Sequence, residues 1–124
     1  MRFATTDGPI AYRNGGEWGP AYLLQFDSAD IGVVRLRPGD AIENHYHEHC
    51  DESFVVIEGE CVLWVDGEHR HVMRAGELYS CAPGERHCVV NDGDADCRFV
   101  FLKTPPSPGD TIADSWQPPR GAGA

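Results

Sequence analysis

Lysine is almost absent from this chain. One lysine stands against nine arginines, and 20 acidic side chains leave a formal net charge of −10 over 124 residues. A chain this acidic offers no broad basic face, which argues against nucleic acid and anionic membrane surfaces as partners. The arginine-over-lysine bias supports no functional reading by itself. No apolar run reaches the roughly 20 residues that a membrane-crossing helix needs. The opening stretch from Met1 to Asn14 lacks the apolar core of a signal peptide, so the cytoplasm is the expected compartment. The cysteines, Cys50, Cys61, Cys81, Cys88 and Cys97, are odd in number and none lies in a C-x-x-C pair. That excludes the usual patterns of a disulfide framework or a zinc ribbon. They read as free thiols, either small core residues or surface groups, with a redox role for Cys50 the weakest alternative. There is also no long helical stripe, no helix-turn-helix pattern, no solenoid repeat and no low-complexity tract.

Turns and short β-rich runs are what the chain has in quantity. Gly- and Pro-based turn signals recur at Asn14-Gly15-Gly16, Pro38-Gly39-Asp40, Glu58-Gly59-Glu60, Asp66-Gly67, Ala75-Gly76-Glu77, Pro83-Gly84 and Asn91 to Asp94. Between them the β-branched and aromatic runs predict strands near 21–26, 30–37, 42–48, 53–58, 61–66, 70–74, 77–81, 86–91 and 96–103. Asp66-Gly67 is a strong two-residue hairpin signal. The pattern predicts a single all-β domain, a sandwich or barrel, over residues 1–104 with its core at about 20–103. Prolines 105, 106, 108, 118 and 119 set the stretch 105–124 apart as an irregular tail. Thr111 to Trp116 is expected to dock as a short turn through Ile112 and Trp116, and Arg120 to Ala124 to be disordered.

Three of the six histidines fall within five residues, His45-Tyr46-His47-Glu48-His49. Residues 40–60 also hold seven acidic side chains and no lysine or arginine. Strand alternation points His45 and His47 the same way, one pleat apart, so both rings can chelate a single ion. Glu52, after the bend at 49–51, is placed to join them. His87, opening a strand after the Pro83-Gly84 turn, is the candidate fourth group. Three imidazoles and a carboxylate suit iron, manganese, nickel, copper, cobalt or zinc, and suit calcium or magnesium poorly. Four protein ligands on an octahedral ion leave two positions for substrate oxygens or dioxygen. His49 reads as an exposed loop residue rather than a fifth ligand or base. His69 and His71 read as a solvated strand face. Arg35, Arg37 and Arg98 read as salt-bridge or contact residues rather than substrate anchors. Phe54 and Val56 share the parity of Glu52 and are candidate pocket walls.

The order Gly39, five residues, His45, one residue, His47, four residues, Glu52, six residues, Gly59 resembles the first motif of the cupin superfamily. Gly76 through Gly84, with His87 eleven residues after Gly76 and Asn91 four after His87, resembles the second. Ala82 stands at the usual proline position, with Pro83 displaced by one. The resemblance implies a jelly-roll barrel with the metal inside it. It also implies that His45, His47, Glu52 and His87 are the metal ligands and that the protein is a homodimer. One divalent transition ion is expected, iron favoured. The reading favours a metal-dependent enzyme on a small oxygen-rich organic molecule, an oxidoreductase of dioxygenase type. An isomerase, epimerase or lyase is the alternative, and a non-catalytic binding or sensing cupin stands further off. No catalytic residue beyond the ligands is assigned.

Overall fold

The computed structural model describes residues 1–119; the disorder expected of Arg120 to Ala124 concerns residues outside that range. Among the described residues the secondary structure is entirely β, in ten strands. They are β1 (Gly19–Phe26), β2 (Ala29–Leu36), β3 (Ala41–Tyr46), β4 (Asp51–Glu58), β5 (Glu60–Val65), β6 (His69–Arg74), β7 (Leu78–Cys81), β8 (His87–Val90), β9 (Cys97–Thr104) and β10 (Ile112–Ala113). Two five-stranded antiparallel sheets, ordered β1-β2-β9-β4-β7 and β10-β3-β8-β5-β6, face each other as a jelly roll. With no helix among the described residues, none is long and apolar enough to cross a membrane.

The period of two explains which side chains point inward. On β4, Glu52, Phe54 and Val56 are buried and alternate with more exposed neighbours; on β9, Cys97, Phe99 and Phe101 do the same. These residues meet Val34, Leu36, Cys61, Leu63, Met73, Cys81 and Val89 in one core between the sheets. All five thiols are buried, which settles the choice between core and surface in favour of the core.

The β5–β6 reversal is made by Asp66 and Gly67, both left-handed, with the Glu68 N–H donating to the Val65 carbonyl at 3.1 Å. Glu68 remains as an extra residue before His69 pairs with Val65. The same turn reaches across to β8: Asp66 exchanges backbone and carboxylate hydrogen bonds with Arg86, immediately before His87.

The tail does more than dock. Ile112 and Ala113 extend the second sheet as β10, opposite Tyr46 and His45, and Trp116 packs its ring on Trp64 at 5.6 Å between centroids. Proline spacing hid this strand, because a two-residue pairing carries no periodicity.

Candidate functional site

His45, His47, Glu52 and His87 converge from both sheets. His45 and His87 are direct cross-strand partners on β3 and β8, and Glu52 faces them from β4 of the other sheet. His47 lies just past the end of β3, which stops at Tyr46, so strand parity alone does not hold it. Two other contacts do: its Nδ1–H donates to the Asp110 carbonyl at 2.8 Å, and its own carbonyl accepts the Gly84 N–H at 2.7 Å. The displaced Pro83 therefore leaves the Gly84 turn in a position that braces a candidate ligand.

All three rings are oriented alike. Nδ1 of His45, His47 and His87 lies 2.7, 2.8 and 2.9 Å from the carbonyls of Glu43, Asp110 and Glu85. A carbonyl can only accept, so each Nδ1 carries hydrogen and each neutral ring presents an unprotonated Nε2. Those three Nε2 atoms face a single oxygen, Glu52 Oε1, at 3.7, 3.1 and 2.9 Å. Lone pairs gathered around a carboxylate repel unless positive charge lies among them. Without a cation that charge is a proton. Burial opposes the ionised form of Glu52, but the three histidines facing it outweigh that and hold the carboxyl well below its ordinary value. Burial also works against a charged His47, and the Glu52 hydrogen bond and charge more than offset it, raising the imidazole.

The donor set fits a divalent transition ion. Ligands about 2.1 Å from a common ion stand roughly 3.0–3.4 Å apart at octahedral or tetrahedral angles. The observed separations bracket that range, and the four donor atoms all lie within 4.8 Å of one another. Backbone carbonyls behind each ring are the outer partners that fix such ligands. A second buried group, His47, Cys50 and Asp110, shares His47 with the first. Asp110 is already committed there: its carboxylate accepts the N–H groups of Glu48 and His49 at 2.7 and 2.9 Å.

The cluster opens onto a cavity of about 520 Å³ walled by Trp18, Tyr22, Phe54, Phe99 and Phe101 among others. Phe54 lines it as expected, while Val56 sits deeper in the core. Arg35, Arg37 and Arg98 are occupied by Asp96, by Asp40 and Glu17, and by Glu58. His49, His69 and His71 are exposed. Burial pushes the Cys50 thiol up to about 11, away from the depressed values of reactive cysteines.

Sequence reasoning missed three residues. Asp110 was hidden in the tail. Lys103 and Tyr22 line the cavity on the far side of Glu52. The Lys103 ammonium donates to the Tyr22 oxygen at 2.7 Å and lies 3.9 Å from Glu52 Oε2. Burial lowers the lysine, but the Glu52 charge and the Tyr22 hydrogen bond prevail and hold it above its ordinary value. Its being the chain's single lysine was the one available signal.

Two facing antiparallel sheets with three histidines and a glutamate gathered between them are the barrel architecture of the cupin class. The sequence profile of the cupin domain family matches residues 32–103, more than half of the chain. The protein belongs to the cupin family. The tetracenomycin polyketide synthase protein TcmJ of Streptomyces glaucescens is 35% identical over 81 residues, which span 65% of this chain and 54% of that protein. Polyketide synthase CurC of Streptomyces cyaneus is also 35% identical over 81 residues, 65% of this chain and 52% of its own. The chain thus spans about half the length of the curated relatives it matches. Quercetin 2,3-dioxygenase of Bacillus subtilis is 47% identical over 30 residues, 24% of this chain and 9% of that enzyme.

Among solved structures, an uncharacterized double-stranded β-helix protein of Klebsiella pneumoniae superposes with a TM-score of 0.78 at 25% identity. That match covers 93% of this chain and 99% of the other. A cupin-superfamily sugar phosphate isomerase of Silicibacter pomeroyi superposes with a TM-score of 0.64 at 30% identity, covering 72% and 58%.

Proposed function

We propose that the protein is a metal-dependent enzyme acting on a small, oxygen-rich molecule with a flat, largely apolar body, of polyketide or phenolic type. His45, His47, Glu52 and His87 hold the ion. The observation that carries the reading is the convergence of three Nε2 atoms on one buried carboxylate at the wall of an aromatic cavity. The cavity volume of about 520 Å³ lies in the usual range for small-molecule pockets. When bound, a divalent transition ion supplies Lewis acidity toward substrate oxygens and, as iron, access to dioxygen. The protein's own part is to exclude water with Trp18, Phe54, Phe99 and Phe101 and to hold the substrate's plane against their rings.

Redox-neutral carbonyl chemistry, isomerisation or ring closure, is the reading we favour. Its support is the breadth of similarity to the two polyketide synthase proteins and to the sugar phosphate isomerase. Oxidation by dioxygen, with iron, is the second reading, favoured by the short, high-identity match to quercetin 2,3-dioxygenase.

The test is incubation of the metal-loaded protein with a panel of phenolic 1,3-diketones in deuterated buffer. NMR follows exchange of the acidic C–H, and an electrode follows oxygen. Metal-dependent exchange with no oxygen uptake is expected. Oxygen consumed in step with substrate loss would replace the first reading by the second. Equal rates for wild type and His87→Ala would remove both.

A further inference from the structure

Lys103 and Glu52 are direct cross-strand partners on β9 and β4, so both side chains enter the barrel at the same level. The two oxygens of Glu52 face different ways: Oε1 toward the three imidazoles and Oε2 toward the Lys103 ammonium. At 3.9 Å the lysine is an ion-pair neighbour of that carboxylate and not its hydrogen-bond donor. The Lys103 side chain is 16% exposed. An ammonium drawn largely out of water ordinarily spends most of its N–H groups on acceptors. This one has a single acceptor among the described residues, the Tyr22 oxygen at 2.7 Å. Because that oxygen accepts, the Tyr22 hydroxyl hydrogen is free to point elsewhere.

The surroundings are built to hold the pair. Tyr22, Gly32 and Phe101 form one row across β1, β2 and β9. A Cβ at Gly32 would collide with the Ala21 carbonyl and with the Phe101 ring, so the bare backbone there is what lets that ring lie down. Phe101 in turn meets Tyr22 edge-on at 5.1 Å. The ammonium lies 5.3 and 5.8 Å from the Tyr22 and Phe101 ring centres. The aromatic faces accommodate the charge while leaving its remaining donors to the cavity that both residues line.

We propose that Lys103 and Tyr22 form an oxyanion subsite that takes a phenolate, enolate or carboxylate oxygen of the ligand. It lies across Glu52 from the three histidines. The inference rests on the metal-dependent reading above and deepens it: the ligand presents at least two oxygens, one to each side of Glu52, and the one at Lys103 is anionic. A charged donor and a neutral donor on an otherwise apolar wall select such an oxygen over a neutral ether or an alkyl group.

The probe is 4-nitrocatechol, whose absorbance reports its ionisation, titrated into zinc-loaded protein with zinc content measured on each sample. Lys103→Met is expected to retain zinc and to bind the probe at least about 10-fold more weakly, with a smaller loss for Tyr22→Phe. Unchanged affinity in a zinc-retaining Lys103→Met overturns the subsite and leaves the metal reading intact. Failure of the wild type to take up zinc overturns the metal reading itself.

Should Lys103→Met not fold, the wild type suffices. Reductive methylation with ¹³C-formaldehyde places one labelled lysine in the chain, because there is no other. Its resonance is expected to move when 4-nitrocatechol is added. A resonance that stays put, or a lysine the reagent never reaches, overturns the proposal.

Discussion

What His47 can do is decided by atoms on either side of its ring. The Asp110 carbonyl fixes the tautomer from behind, and Glu52 waits in front at 3.1 Å. The Asp110 side chain ties the same loop down. Burial tends to raise its carboxyl, but the N–H groups of Glu48 and His49 outweigh that and hold it below the ordinary aspartate value. A depressed carboxyl contributes stability above its unfolded pKa, about 3.9, and loses it as pH falls through the lower folded value. Asp110→Asn is therefore expected to cost about 1–3 kcal/mol at neutral pH. The gap to wild type should close as pH drops below about 4. Urea denaturation across a pH series measures it, and a gap that is constant in pH would show that the charge is not what matters. The four candidate donors were legible in the sequence because each sits at a motif position. Asp110, Lys103 and Tyr22 were not, because their roles arise from chain segments about 60 to 80 residues away that only the folded sheets bring near.

Nine strands were legible as short runs rich in β-branched and aromatic residues, most of them set off by Gly- or Pro-based turns. β10 was not, since its two residues are held by the register of β3 and by packing of Trp116 near Gly67 and Trp64. Strand alternation alone does not orient His47 beside His45: β3 ends between them, and the tail and the Gly84 turn complete the orientation. The tail is thus an element of the site. Removal of residues 105–124 is expected to leave a folded barrel with metal affinity lowered by about 10–100-fold, and Asp110→Ala in the full chain to reproduce part of that loss. Isothermal titration with zinc tests both, and undiminished affinity in the truncated chain would refute the tail's role. Gly32→Ala forces a methyl group against the Ala21 carbonyl and the Phe101 ring, and is expected to destabilise the fold by about 1–3 kcal/mol in urea.

Across the whole molecule, the candidate site draws its residues from both sheets. His45 and His87 belong to one sheet and Glu52 to the other, so an ion bound by all of them links both halves of the barrel. Binding to the folded state alone at 100-fold excess over Kd adds about 2.7 kcal/mol. For a domain of this size that is a rise in Tm on the order of 10 °C. A chelator is expected to reverse the rise in wild type and to leave the Tm of His87→Ala unmoved. The net charge of −10 favours cation uptake but does not select the ion. Selection rests with the donor set, where nitrogen outnumbers oxygen three to one.

Elemental analysis of the purified protein by plasma mass spectrometry, wild type beside His87→Ala, tests the metal site most directly. About one divalent transition ion per chain is expected in the wild type, and loss of that ion in a variant that keeps its β-sheet circular dichroism. Stoichiometric metal in the variant would contradict that site, as would a wild type that stays empty after incubation with iron, manganese, nickel and zinc.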